Sequence, residues 1–355
     1  MPPFQLQPEQ VKAEVPRILE LGQAFFAGQC LNAVVRMGVA DAMGDSTLSV
    51  ADLAARLEGK PHEEMLFRCM RLLALHGVFV ESAGPGGEFL FALTPMGALL
   101  QTKAPMQPSM ACGMLHWNEK CMWDAWATVP DLAAGKIEAP TPFQAANSMP
   151  IFEYYANHPK SAKQFNEFMT FFSGGELPVV LEFLPWATLT GKKVVDIGGN
   201  LGTVMGAVKA KFPEVEAISF DLPEVIATVA EPPPGVELVP GDMFKSESIP
   251  QADAIIMKHI LHDWSDENSI KILGSCAAAL ADNGKIFLIE CVLPDAGQMT
   301  ELKGSQVHLD ALMMVIGGKE RTAAQWSNLA TAASLRIAET IATPMPAAQI
   351  VVLTK

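Results

Sequence analysis

The chain has 355 residues, half of them apolar, and carries a formal net charge of -14. That length exceeds the size at which one hydrophobic core usually stops growing, so two domains are expected. The charge repels phosphate backbones and anionic lipid surfaces, which argues against nucleic acid or membrane as the main partner and leaves a small molecule as the better fit. No apolar run reads as approaching the roughly 20 residues that cross a bilayer. The start, MPPFQLQPEQVKAEV, has neither the apolar core of a signal peptide nor the Arg-rich bias of a transit peptide. The expected address is the cytoplasm.

From about Glu14 to Met43, apolar residues recur at three- and four-residue steps (Ile18, Leu21, Phe25, Leu31, Val34), which predicts a long amphipathic helix. A short helix from Ser49, a second from Glu63 to His76, and two strands at Val78–Val80 and Phe89–Phe91 then read as a winged helix. Its second helix opens with Glu63 and Glu64 and sets Arg68 and Arg71 among Met65, Leu66, Phe67 and Met70, so it is expected to be buried rather than to face phosphates. Between Met110 and Trp186 the chain is rich in Trp, Met and Phe, and Pro130, Pro140, Pro142, Pro150 and Pro159 break it into short helices expected to roof a pocket. After Gly191, short apolar runs (194–197, 217–220, 236–239, 254–257, 286–289) alternate with helical stretches, as in a parallel sheet covered on both faces. A terminal hairpin is expected from 335–341 and 349–353. The resulting division is 1–110, a winged-helix unit; 111–186, a helical linker and cap; and 187–355, an α/β domain.

The six cysteines form no CxxC pair, so packed, reduced thiols are expected rather than a disulfide or zinc framework. His259 and His262 stand three apart, but no third metal ligand of suitable spacing lies nearby in the sequence, so no metal is expected.

The segment Asp196-Ile-Gly198-Gly199-Asn200-Leu-Gly202 follows a strand and precedes a helix, so its glycines let the backbone turn tightly and approach a ligand at the helix amino terminus. Asp221 closes the next strand about 20 residues on, where a carboxylate accepts hydrogen bonds from ribose hydroxyls. A dinucleotide fingerprint starting at Gly198 requires glycine where Asn200 and Thr203 stand, so a nicotinamide cofactor fits poorly. Gly241-Asp242-Met243-Phe244 offers a carboxylate for an exocyclic amine and apolar side chains for an adenine. His262 follows the fourth strand on the edge where open α/β sheets bind ligands, a place that suits a general base. Glu290 and Glu320 are its candidate orienting carboxylates.

Together with Lys258, His262-Asp263-Trp264, Ile289-Glu290-Cys291 and Gly317-Gly318-Lys319-Glu320-Arg321-Thr322, these motifs resemble the caffeic-acid-type plant and bacterial small-molecule O-methyltransferases, over nearly the whole chain. The resemblance implies a seven-stranded Rossmann-like domain behind a winged-helix dimerisation domain, S-adenosylmethionine as methyl donor, no metal, and a homodimer. By it, Asp196, Gly198, Asp221, Leu222, Asp242, Met243 and Lys258 hold the cofactor. His262 takes the acceptor proton with Glu290 and Glu320 beside it, and Phe165, Met169, Asp263, Met313 and Met314 line the acceptor pocket. Asn200 departs from the glycine found in many relatives, but asparagine tolerates positive φ.

Two other functions remain open on the sequence. A small thioether acid such as methylthiohydroxybutyrate has no proton to lose, so His262 would then only position the substrate. A non-catalytic adenosyl-binding regulator would need a damaged site, whereas Asp221, His262, Glu290 and Glu320 are all present.

Overall fold

The computed structural model describes residues 7–103, 109–298 and 302–355. Residues 1–6, part of the start read above for a targeting signal, lie outside the described residues. The chain forms two compact units divided between Lys120 and Cys121, rather than the three segments expected.

The first unit opens with helix α1 (Pro8–Arg36), which stops where Gly38 turns left-handed (φ 68°) ahead of α2 (Val39–Met43). Strand β1 (Leu48–Ser49) leads into α3 (Val50–Arg56), whose first turn is capped by the Ser49 hydroxyl accepting from the Asp52 amide at 3.1 Å. Helix α4 (Glu63–Leu75), strands β2 (Phe79–Ala83) and β3 (Phe89–Leu93), and helices α5 (Pro95–Ala98) and α6 (Ala111–Trp117) complete it. The strands pair in the order β1-β3-β2, all antiparallel, giving the expected winged helix.

Two expectations are corrected here. Helix α4 is not buried all round: the 3.6 period puts Leu66, Met70 and Leu73 in the core but leaves Met65 and Leu75 outside, Leu75 at 82% exposure. Arg68 pairs with Glu64, and Arg71 with Glu81 at 3.2 Å. Helix α1 contains an 18-residue window long and apolar enough to cross a membrane, contrary to the sequence reading. Its apolar residues face outward in this chain, with Ile18 64%, Leu21 72% and Phe25 54% exposed.

The second unit begins with four helices, α7 (Lys120–Ala133), α8 (Pro142–Asn147), α9 (Ile151–Asn157) and α10 (Pro159–Phe183). Pro142 and Pro159 open helices at a position whose amide would be unpaired anyway, and Pro150 caps α9. Pro130, expected to break the chain, instead lies within α7 close to its end.

The strands β4 (Lys193–Ile197), β5 (Glu216–Asp221), β6 (Val236–Pro240), β7 (Ala252–Lys258) and β8 (Leu280–Glu290) alternate with α11 (Thr203–Lys211), α12 (Pro223–Ile226) and α13 (Asp266–Ala279). After β9 (Val292–Leu293) come α14 (Gly304–Ile316), β10 (Arg321–Thr322), α15 (Ala323–Ala332), β11 (Arg336–Ile341) and β12 (Gln349–Thr354). Seven strands form one sheet, β11-β12-β8-β7-β4-β5-β6, parallel except that β12 runs antiparallel to both neighbours.

Alternation along the strands explains the continuous apolar runs. Val195, Ile197, Ile255, Met257, Ile286 and Leu288 pack on one face with Ile272 and Leu273 of α13 and Trp326 of α15. Val194, Ala254, Ile256, Phe287 and Ile289 pack on the other with Val179 and Val180 of α10 and Met205 and Val208 of α11. The chain runs from β4 outward to β6 and returns to β7 on β4's other side, which opens a crevice at the carboxyl ends of these strands.

Candidate active site

That crevice holds a cavity of about 240 Å³ lined by residues from the ends of four strands and by α10. Of the expected cofactor residues, Asp196, Gly198, Asp221, Leu222, Asp242, Met243 and Lys258 all line it. The loop after β4 is tied to β5 by the Gly198 and Gly199 amides, which donate to the Phe220 carbonyl at 2.8 and 3.2 Å. Gly198 has φ 72°, which favours glycine, and a Cβ there would push aside the end of the Ile260 side chain. Asn200 adopts φ 51°, the left-handed conformation that asparagine tolerates.

The Asp221 carboxylate accepts from the Asn200 amide at 2.8 Å and from the Leu222 amide at 2.7 Å, which fixes it at the cavity wall with lone pairs to spare. Burial pushes the Asp196 carboxyl up to about 7, with Lys258 opposing and Asp221 adding to the rise. Among the described residues, Asn200 Oδ1 and Ser219 Oγ beside the loop are buried without a hydrogen-bond partner. A glycine cradle, a ribose-type carboxylate and unpartnered polar atoms fit an adenosyl group.

His262 lies on a 3-10 turn, Leu261–Asp263, after β7. Its Nδ1 is 2.8 Å from Glu320 Oε1, and its Nε2 is 3.5 Å from Asp263 Oδ1. Of the expected acceptor-side residues, Phe165, Met169 and Asp263 line the cavity, together with Phe152, Asn166 and Ser173. His262, Glu290 and Glu320 stand behind the wall, while Met313 is buried and Met314 half-exposed elsewhere; none of these five lines the cavity.

Glu290 differs from expectation in what it touches. Its Oε1 accepts from the Ile260 and Leu261 amides at 3.1 and 2.9 Å, and its Oε2 stays 4.0 Å from His262 Nδ1, too far for a hydrogen bond. It therefore shapes the turn that carries His262. Burial, reinforced by Glu320, pushes its carboxyl up to about 7, and burial reinforced by Asp310 pushes Glu320 up to about 8.

Arg321, fully buried, donates to the Leu261 and Trp264 carbonyls at 2.8 Å each and to Asp266 at 3.0 Å, so it clamps the same turn from the far side. Gly318 approaches so closely that a Cβ would overlap the His262 carbonyl oxygen, while the Lys319 amide donates to that oxygen at 2.8 Å. Gly318→Ala must therefore shift the turn and its imidazole. A displacement near 1 Å costs on the order of 100-fold in rate, and the check is kcat for Gly318→Ala beside an unchanged cofactor Kd.

The fold also supplies what the sequence spacing lacked: Glu290 brings a third ligand atom to within 4.8 Å of those of His259 and His262. Both imidazoles already hold a carboxylate, His262 that of Glu320 and His259 that of Glu176, with His259 Nε2 2.9 Å from Glu176 Oε1. No hydrogen bond joins the trio itself, since Glu290 Oε2 is 4.0 Å from both His259 Nδ1 and His262 Nδ1. Glu176, on α10 and buried, is a site residue that the sequence reading missed.

Comparison with known proteins gives the chain's family. An O-methyltransferase domain matches residues 126–336, and an O-methyltransferase dimerisation domain matches 19–103. A caffeic acid 3-O-methyltransferase of Prunus dulcis is 36% identical over 94% of this chain and 93% of its own. One from Ocimum basilicum is 38% identical over 81% and 80%. Among solved structures, LaPhzM superposes with a TM-score of 0.82 at 28% identity, covering 96% of this chain and 98% of its own. The methyltransferase CalO1 of calicheamicin biosynthesis, solved with S-adenosylhomocysteine bound, gives 0.78 at 26%, covering 99% of both. The chain belongs to the O-methyltransferase family of S-adenosylmethionine-dependent enzymes.

Proposed function

We propose that this enzyme transfers a methyl group from S-adenosylmethionine to a phenolic hydroxyl of a small molecule, with His262 as general base. The observation that carries the proposal is the His262–Glu320 pair, at 2.8 Å, next to a cavity whose other wall fits an adenosyl group. The caffeic acid 3-O-methyltransferases among its relatives support the acceptor class.

The bound cofactor supplies an electrophilic methyl group on a sulfonium. This chain's residues do the rest. Asp221, Leu222, Asp242 and Met243 bind the adenosyl portion, and Phe152, Phe165 and Met169 hold an aromatic acceptor in a water-poor space. In the tautomer that donates Nδ1–H to Glu320, His262 keeps a lone pair at Nε2 for the phenol proton, 3.5 Å from Asp263 Oδ1 at the cavity wall. The test is methyl transfer from labelled S-adenosylmethionine to a panel of phenols, hydroxy acids, thiols and thioethers with chelator present. Turnover of phenols is expected. Turnover of thioethers alone would overturn both the acceptor and the role of His262.

The raised Asp196 carboxyl makes cofactor binding pH-dependent. A cation in the cavity stabilises the ionised form, so binding S-adenosylmethionine releases a proton and tightens as pH rises through about 7. S-adenosylhomocysteine, whose sulfur is neutral, is expected to show a weaker slope, read as proton release by calorimetry in buffers of different ionisation enthalpy.

We also propose a cytoplasmic homodimer formed through the first unit. The dimerisation-domain match and the outward Ile18, Leu21 and Phe25 of α1 support the dimer, and six unbridged cysteines fit a reducing compartment. Leu21→Glu with Phe25→Glu is expected to give a monomer in light scattering; an unchanged dimer would place the interface elsewhere.

A further inference from the structure

A buried cluster that reaches the cavity through Lys258 and His259 contains one carboxylate, one ammonium and one imidazole. Glu176 Oε2 is 3.2 Å from Lys258 Nζ, and Glu176 Oε1 is 2.9 Å from His259 Nε2. All three residues are buried, Glu176 at 2% exposure. Burial alone would raise the Glu176 carboxyl, but His259 and Lys258 together hold it down to about 2. Burial lowers His259 to about 4, so it is neutral at physiological pH and donates Nε2–H to the carboxylate. The Lys258 ammonium also lies over the Phe172 ring, 5.6 Å from its centroid.

Lys258 and His259 line the cavity, and Glu176 continues the stripe of α10 that bears Phe165, Asn166, Met169 and Ser173. Without Glu176, a cavity that must admit a sulfonium would present an ammonium opposed by Asp196, whose carboxyl burial pushes up to about 7. With it, the cluster's charges cancel, one negative against one positive. The arrangement also ties the acceptor-side helix to the strand end on the cofactor side, and holds His259 in its left-handed conformation (φ 53°), together with the 3.0 Å bond from the His259 amide to the Ile289 carbonyl.

We propose that Glu176 is the counter-ion that keeps the charge of Lys258 from weakening the binding of the cationic cofactor relative to its neutral product. The inference rests on the reading that the cavity binds S-adenosylmethionine, and it makes Glu176 a positioning and selectivity residue rather than a catalytic one.

The experiment is a charge cycle read by calorimetry, with the Kd of S-adenosylmethionine and S-adenosylhomocysteine measured for each full-length variant. Glu176→Gln removes that counter-ion, and the preference for the cation is expected to fall on the order of tenfold, from one unscreened charge beside the cavity. Lys258→Met leaves the carboxylate unopposed, and the preference is expected to rise. The double variant is expected near the wild-type ratio, and Glu176→Asp, which keeps the charge, is expected to preserve it. Should Glu176→Gln fail to fold, the opposite sign expected for Lys258→Met still decides. Parallel losses for both ligands in every folded variant would overturn the proposal and make the cluster merely structural. Failure of the wild type to bind either ligand would instead overturn the cofactor reading.

Discussion

His262→Ala is expected to lower kcat for phenol methylation by about 100- to 10,000-fold at neutral pH, the range contributed by a positioned general base, while the Kd for S-adenosylmethionine stays within about twofold. The split follows from placement. His262 stands behind the cavity wall, bonded to Glu320 at 2.8 Å, whereas the cofactor residues belong to other strand ends. The imidazole has one nitrogen committed to a carboxylate and the other 3.5 Å from Asp263 Oδ1, so its loss removes a proton acceptor and little binding surface. Steady-state kinetics beside calorimetry separates the two effects. A kcat loss that only tracks acceptor affinity would reduce His262 to a positioning group.

Asp221→Ala is expected to weaken cofactor binding by about 100-fold, the loss of two hydrogen bonds to an ionised acceptor at about 1.5 kcal/mol each. Its carboxylate also receives the Asn200 and Leu222 amides, so the loop from Gly198 to Gly202 loses an anchor along with the ligand. Asp221→Asn, which keeps one acceptor oxygen, is expected to fall between. Equal affinity in all three proteins would remove Asp221 from the cofactor site.

The parts of this site that local sequence could reveal are those built by single strand-to-loop transitions. The run from Asp196 to Gly202 announces itself because an apolar strand, a glycine turn and a helix follow one another without a gap, and Asp221 lies one strand further on. The five parallel strands were legible because both faces of the sheet are covered, which forces short apolar runs, and the last two strands were read as a terminal hairpin. Glu176 was not legible: it lies 82 residues from Lys258, inside a helix, and nothing near it in sequence marks it as buried. The backbone bonds of Glu290 were not legible for a related reason, because its partners are the amides of Ile260 and Leu261, which no side-chain pattern encodes. The amphipathic character of α1 was legible but its outward exposure was not, since periodicity says that a face is apolar without saying what covers it. Pro130 and Pro178 likewise sit inside helices that surrounding contacts maintain.

The account turns on proton removal by His262, and a series of phenols of graded acidity tests it most directly. In the wild-type enzyme kcat is expected to vary shallowly with acceptor pKa, because the base takes the proton as the bond forms. In His262→Ala the dependence is expected to steepen, with near-normal rates surviving only for phenols already ionised at the assay pH. A uniform loss across the series, independent of acidity, would contradict the general-base role.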